Sequence, residues 1–273
     1  MAKCRYRKCN CSRVYLCKCD CLKCGLIMAR IKCVVTYDGS KFYGFQIQNN
    51  KRTIQGEIQK ALKNITQEEI TIHASGRTDA KVHAKGQVFH FDTVKELNDD
   101  RWKMAINHFM PNDIYIVSCK HVDDQFHSRY LATKKEYRYY LNMGEYSPFE
   151  TNYIYQYNRK LDVEKMNQAA KMFIGEHNFA SYCSYDQYGN TIRTIYEFDV
   201  IQKGDLVEFR VTGNGFRRYM VRHLVGALIQ IGAGRFSEEE AKFRLDSCGE
   251  KHILYKAKPQ GLYLYQVWYD QCE

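Results

Sequence analysis

SGRTDAKVHAKGQVFHF, residues 75–91, sets one carboxylate, Asp79, between Arg77 and Lys81 and then runs into a regular alternation. Gly76 and the polar residues around it are poorly suited to a helix interior, whereas residues 87–91 alternate with the period of two expected of a strand. The stretch therefore reads as a loop tip feeding a strand, a place where functional side chains are often displayed. A cation two residues from Asp79 would hold the carboxyl ionised, which suits a nucleophile better than a general acid. Taken alone, SGRTD also fits a structural Asx-turn. His73, His83 and His90 lie in or beside the run, but without H-x-x-x-H spacing or an acid suited to metal-assisted hydrolysis. They read as surface or hydrogen-bonded histidines rather than zinc ligands.

Working outward, residues 31–37 (IKCVVTY) form a strand candidate and Asp38-Gly39 a turn. Thr53 is placed to cap a helix whose apolar positions Ile54, Ile58, Leu62 and Ile65 fall three and four apart. Residues 101–109 suggest a short helix and 113–119 another strand. Residues 136–142 (EYRYYLN) read as a strand with Tyr137, Tyr139 and Leu141 on one face and Arg138 and Tyr140 on the other. The pattern then repeats: a helix from Asp162, strands at 194–202 and 206–212, a long helix from Phe216, a capping box at Ser237 and Glu240, and a closing strand at 261–269. Strands separated by single helices, with hairpin-like pairs between them, predict an α+β fold. Two similar lobes, residues 28–135 and 136–273, would share a mostly antiparallel sheet.

The length of 273 residues supports either one large domain or two such lobes. No apolar run approaches eighteen residues, so no membrane segment is expected, and the chain reads as a soluble globular protein of the cytoplasm. A formal net charge of +10 points to nucleic acid as the partner, since no basic helix with an apolar opposite face suggests lipid. Seven of the twelve cysteines fall within the first 24 residues; the other five are scattered, as in a reducing compartment. Residues 1–27 carry seven Lys or Arg against Asp20 alone and show no periodicity. Cys17, Cys19, Cys21 and Cys24 lack the separated C-x-x-C pairs of structural zinc sites. The segment reads as a disordered basic tail or an upstream extension, with Met28 as a natural chain start. A Walker loop, G-x-G-x-x-G and G-x-S-x-G are all absent, which removes the common nucleotide and acyl-transfer classes.

A second informative stretch is GNGFRRYMVRHLVGALIQIG, residues 213–232. On a helical wheel Val221, Leu224 and Leu228 make one apolar stripe, and Arg218, Arg222, Val225 and Ile229 another, so Arg222 projects where an apolar side chain is expected. A guanidinium there needs a partner or must reach the surface, and Asp79 is a candidate partner. Tyr137 could be a packed sheet residue. The cluster of Lys134, Lys135 and Arg138 with Tyr137, Tyr139 and Tyr140 also offers what base stacking beside phosphate contacts requires.

With these residues assembled, the sequence resembles the TruA family of tRNA pseudouridine synthases. SGRTDAKVHA is similar to that family's G-R-T-D-A-G-V-H-A signature, and the likeness continues in order through VVTYDGSKFYGFQIQ, FHSRYLATKKEYRYYL, GEHNFASY, GNGFRRYMVRHLVG and GLYLYQVWY. The resemblance implies the pseudouridine synthase fold with a central active-site cleft. It also implies a base flipped out of RNA and isomerised with Asp79 as nucleophile, without cofactor or metal. By the same likeness Arg77 fills the space the nucleotide vacates, Tyr137 stacks on the uracil, and Arg222 pairs with Asp79. The implied substrate is tRNA at positions 38, 39 and 40 of the anticodon stem-loop, and the implied assembly a homodimer. A binding or chaperone protein that keeps the fold without turnover is the alternative. Lys81 stands where the family carries glycine, which would strain the backbone if that position requires φ > 0.

Overall fold

A computed structural model describes residues 28–184 and 189–270; the expected tail, residues 1–27, lies outside the described residues. In chain order the elements are β1 (Ala29–Tyr37), α1 (Ile54–Thr66), β2 (His73–Ala74), β3 (His83–Thr93), α2 (Asp99–Phe109), β4 (Ile114–Val122), β5 (Ala132–Asn142), β6 (Tyr155–Gln156), α3 (Val163–Ala170), β7 (Gly175–Asn178), β8 (Ile192–Lys203), β9 (Leu206–Gly213), α4 (Met220–Gly232), α5 (Glu238–Asp246) and β10 (Leu262–Tyr269). The strands form one sheet in the order β4-β1-β3-β10-β5-β9-β8-β7, with β2 paired to β3 and β6 to β5. Pairings are antiparallel except β10 with β3 and β5 with β6. The fold is thus the mixed α and β class with a large, mostly antiparallel sheet. The last strand of the chain, β10, joins the early strands to the late ones.

The local causes are those the sequence carries. In β1 the side chains of Ile31, Cys33, Val35 and Tyr37 are buried while Arg30, Lys32, Val34 and Thr36 stay partly exposed, a strict period of two. Thr53 caps α1 by accepting from the Gly56 N–H at 3.3 Å, and Ile54, Ile58, Leu62 and Ile65 form its buried face. Ser237 caps α5 by accepting from Glu240 N at 3.1 Å. On β5, Tyr137, Tyr139 and Leu141 are buried and Arg138 and Tyr140 only partly so. The boundary expected between residues 135 and 136 falls within this strand.

One expectation is corrected. The helix anticipated from Phe216 starts at Met220, because Tyr219 has φ 64°, a left-handed conformation that interrupts the α-helical run. Phe216 and Arg218 therefore belong to a lead-in segment, and Arg218 does not share a helical stripe with Arg222. The helix itself, α4, is apolar nearly all round and is sunk in the core, with Met220, Leu224, Val225 and Leu228 buried.

His83 and His90 are buried and hydrogen-bonded. His83 Nδ1 accepts from Gly39 N at 3.0 Å, so Nε2–H donates to the Asn152 carbonyl at 2.9 Å. His90 Nδ1 lies 3.0 Å from Ser128 Oγ, and its ring stacks on His73 (centroids 5.1 Å) and meets His127 edge-on (4.8 Å). Among the described residues no group of three or more His, Cys, Asp or Glu is arranged to hold a metal ion, and no helix is long and apolar enough to cross a membrane.

Burial, with Arg30, His127 and His73 adding repulsion, pushes His90 down to about 4 from 6.5. The unfolded chain then binds more protons than the folded one between those values, so stability is complete above the ordinary histidine pKa and lost as pH falls toward the folded one. The urea midpoint is expected to drop between pH 7 and pH 5 by the equivalent of roughly 1–2 kcal/mol from this group. The drop should shrink in His90→Gln, measured by circular dichroism; an equal drop in both proteins would count against the assignment.

Candidate active site

The Asp79 loop is held from both sides by main-chain bonds. Segment 39–45 forms a cradle: Phe45 N donates to Thr78 O at 3.0 Å and Lys81 N to Phe42 O at 3.1 Å. The approach is close enough to require glycine. A Cβ on Gly39 would stand 1.9 Å from Val82 O, and Gly44, at φ 97°, would place one 2.9 Å from Thr78 O. Behind the loop, the Tyr37 hydroxyl and Thr78 Oγ1 are 2.8 Å apart. At its root, buried Ser75 donates to Gln87 Oε1 at 2.7 Å, and Gln87 Nε2 donates to Gly76 O at 2.9 Å. Val82 N closes a turn on Asp79 O at 3.2 Å, and Lys81, its third residue, has φ 64°. The lysine accordingly occupies a left-handed position that favours glycine.

Arg222 comes to this loop from α4. The segment after α5 crosses the helix closely: a Cβ on Gly226 would lie 2.6 Å from Tyr255 O, and Ala257 N donates to Arg222 O at 2.9 Å. Arg222 Nε donates to Ala257 O at 2.9 Å, which aims Nη1 at Asp79 Oδ2, 3.2 Å away. The pair is mostly enclosed, with 10% of the arginine side chain and 21% of the aspartate exposed. Burial raises the Asp79 pKa above its ordinary value, and Arg222, then Arg218 and Lys256, pull it back only in part. Arg218 and Lys256 gather on the Tyr219 ring, at 4.7 and 4.3 Å from its centroid.

The four residues singled out in the sequence thus fare differently. Asp79 and Arg222, 143 positions apart, are brought into contact. Tyr137 is near enough for Asp79 to raise its pKa, although burial is the larger cause; it is 8% exposed, with Phe216 edge-on at 5.2 Å. Arg77 is exposed. The cations that act on Asp79 are Arg222, Arg218 and Lys256 rather than the neighbour two residues away, which corrects the local expectation. Sequence reading missed the cradle, buried Gln87 and Lys256. The closely spaced Gly39 and Gly44 in DGSKFYG were the available signal for the cradle; Lys256 had none.

Comparison with known proteins gives the class first. The family model described as tRNA pseudouridine synthase matches residues 33–131 and 169–270, stretches that include Asp79 and Arg222 but not Tyr137. The tRNA pseudouridine synthase A of Anoxybacillus flavithermus is 43% identical over 245 residues, covering 89% of this chain and 100% of that one. That of Bacillus subtilis (strain 168) is 40% identical over 245 residues, covering 88% and 99%. The chain belongs to the tRNA pseudouridine synthase family. A solved Cbf5-Nop10-Gar1 complex aligns with a TM-score of 0.33 and 15% identity over 72% of this chain and 54% of that one, too slight a likeness to weigh beside these.

Replacing Lys81 by glycine removes a left-handed β-carbon without removing the Lys81 N–H bond to Phe42. Lys81→Gly is expected to leave the fold intact and to stabilise it by about 1 kcal/mol, less the entropy gained by the unfolded chain. Thermal denaturation checks this; a clear loss of stability would mean that the lysine side chain makes a compensating contact.

Proposed function

We propose that this chain isomerises uridine to pseudouridine in tRNA, with Asp79 as the nucleophile. Family membership supports the reaction, and the observation that carries the site is the 3.2 Å contact between Asp79 Oδ2 and Arg222 Nη1. The arginine engages Oδ2 alone, by a single bond. A carboxylate kept partly out of water is poorly solvated and correspondingly reactive. In this reading a uridine swings out of the RNA, and the carboxylate takes part in breaking the bond between C1′ and N1, whose electron pair leaves with the uracil. The uracil turns, C5 bonds to C1′ and the carboxylate is released; the C5 proton passes to solvent and N1 takes one up, so that the product is an isomer of the substrate. The uracil is thus both the leaving group and the nucleophile that returns to C1′.

Tyr137, backed by Phe216, forms the wall against the uracil, and exposed Arg77 enters the space the nucleotide leaves. Asp79 belongs to the lobe of residues 28–135 and Arg222 to that of residues 136–273, so the cleft lies where the two meet. The uridines at positions 38, 39 and 40 of the anticodon stem-loop are the proposed targets, a homodimer the proposed assembly and the cytoplasm the proposed location, all on the family resemblance.

Asp79→Asn is expected to abolish tritium release from tRNA carrying 5-tritiated uridine while binding stays within roughly tenfold, about 1.4 kcal/mol. Release at the unmodified rate would remove Asp79 from this role, and no release from the unsubstituted chain would favour a binding protein. Because the Asp79 pKa lies above the ordinary carboxylate value of 3.8, turnover should fall off on the acid side at a higher pH than that value.

A further inference from the structure

The root of the Asp79 loop carries a second charged constellation that the proposed chemistry does not use. Lys135 stands two residues before Tyr137 on β5, hence on the same face, and its ammonium donates to the Ser75 carbonyl. Gly76 lies against it, where a Cβ would be 3.4 Å from Nζ. The ammonium is largely enclosed, and the charges that act on it are cations: Arg129, from the segment before β5, and Arg193, from β8. Sheet register brings Arg193 there, since Lys135 faces Gly213 of β9 and Gly213 faces Ile195 of β8. The carboxylate next in sequence, Glu136, lies on the opposite face and is engaged by Arg138 at 2.5 Å. Among the described residues none of the three cations forms an ion pair with a carboxylate: Lys135 bonds to a carbonyl, Arg193 to the Ile192 carbonyl, and Arg129 lies over the Tyr130 ring.

An enclosed ammonium acted on by two guanidiniums is costly without a counter-charge. Burial first, then Arg129 and Arg193, depress the Lys135 pKa to about 8. An entering anion would offset that cost, and a phosphodiester suits it, since its oxygens accept from an ammonium and from guanidinium forks together. We propose that Lys135, Arg129 and Arg193 form a binding site for a backbone phosphodiester of the RNA, beside the loop that carries Asp79. This rests on the reading that the substrate is RNA. It adds a coupling: the ammonium that meets the phosphate also holds the Ser75 carbonyl, so seating the RNA strand and fixing the loop depend on one side chain.

The test measures tRNA binding by the full chain in the Asp79→Asn background, so that turnover does not enter. Between pH 7 and pH 9 the dissociation constant should weaken by up to about tenfold, because phosphate binds the protonated ammonium and Lys135 titrates inside that window. Lys135→Arg stays charged throughout; it should bind like the parent at pH 7 and lose the pH dependence. Lys135→Met should lower the slope of log affinity against log salt by about one, as should Arg193→Gln, which leaves the Ser75 contact in place. Equal pH dependence in parent and Lys135→Arg, or unchanged salt slopes in Lys135→Met and Arg193→Gln, would overturn the site. Absence of tritium release from the chain with Asp79 intact, alongside these binding signatures, would count against the proposed reaction alone.

Discussion

A carboxylate drawn out of bulk water beside one guanidinium is the constraint around which the cleft is arranged. Removing Asp79 from solvent costs free energy that a neutral side chain would not incur, and Arg222 offsets only part of it. A two-bond fork to both oxygens would compensate the charge more completely. Instead Arg222 spends Nε on the Ala257 carbonyl and gives Asp79 a single bond through Nη1. The carboxylate is thereby held in place without being fully satisfied, a compromise that suits the role proposed for it.

Holding such a charge at a loop tip requires the loop to be stiff, and the stiffness comes from main chain. Gly39 and Gly44 let segment 39–45 lie against residues 78–82 at distances no Cβ would allow, and Gly226 does the same for the segment that aims Arg222. Gln87, fully buried, satisfies both Ser75 and Gly76 at the loop's root. Lys81 tolerates a left-handed backbone within this frame because its N–H is bonded to Phe42 and the turn is closed on Asp79. Strain of this kind persists where the surroundings over-determine the conformation, and it sits two residues beyond Asp79.

Charge is distributed over the site in two groups that play different parts. Arg222, Arg218 and Lys256 act on Asp79 and moderate the effect of its burial. Lys135 meets the base of the loop, Arg129 and Arg193 act on it, and none of the three has an acid of its own among the described residues. The first group compensates a carboxylate of the protein, whereas the second leaves a positive field for an anion from outside.

The sequence by itself determined the elements whose causes are local: the alternation of β1, the Thr53 and Ser237 caps, the faces of β5, and the SGRTD loop with its acid. It also marked Arg222 as a cation in an apolar stripe, because helical periodicity makes a misplaced charge visible. Only the tertiary structure decided which cations reach Asp79, since Arg218, Arg222 and Lys256 arrive through sheet order and close helix crossings that no spacing encodes. It likewise decided where α4 begins, because the left-handed turn at Tyr219 is imposed by the packing of the lead-in segment rather than by the propensity of a tyrosine. Local periodicity reports what a residue's own element needs; the net charge state of a buried group depends on everything brought within a few ångströms of it, and that is fixed by packing.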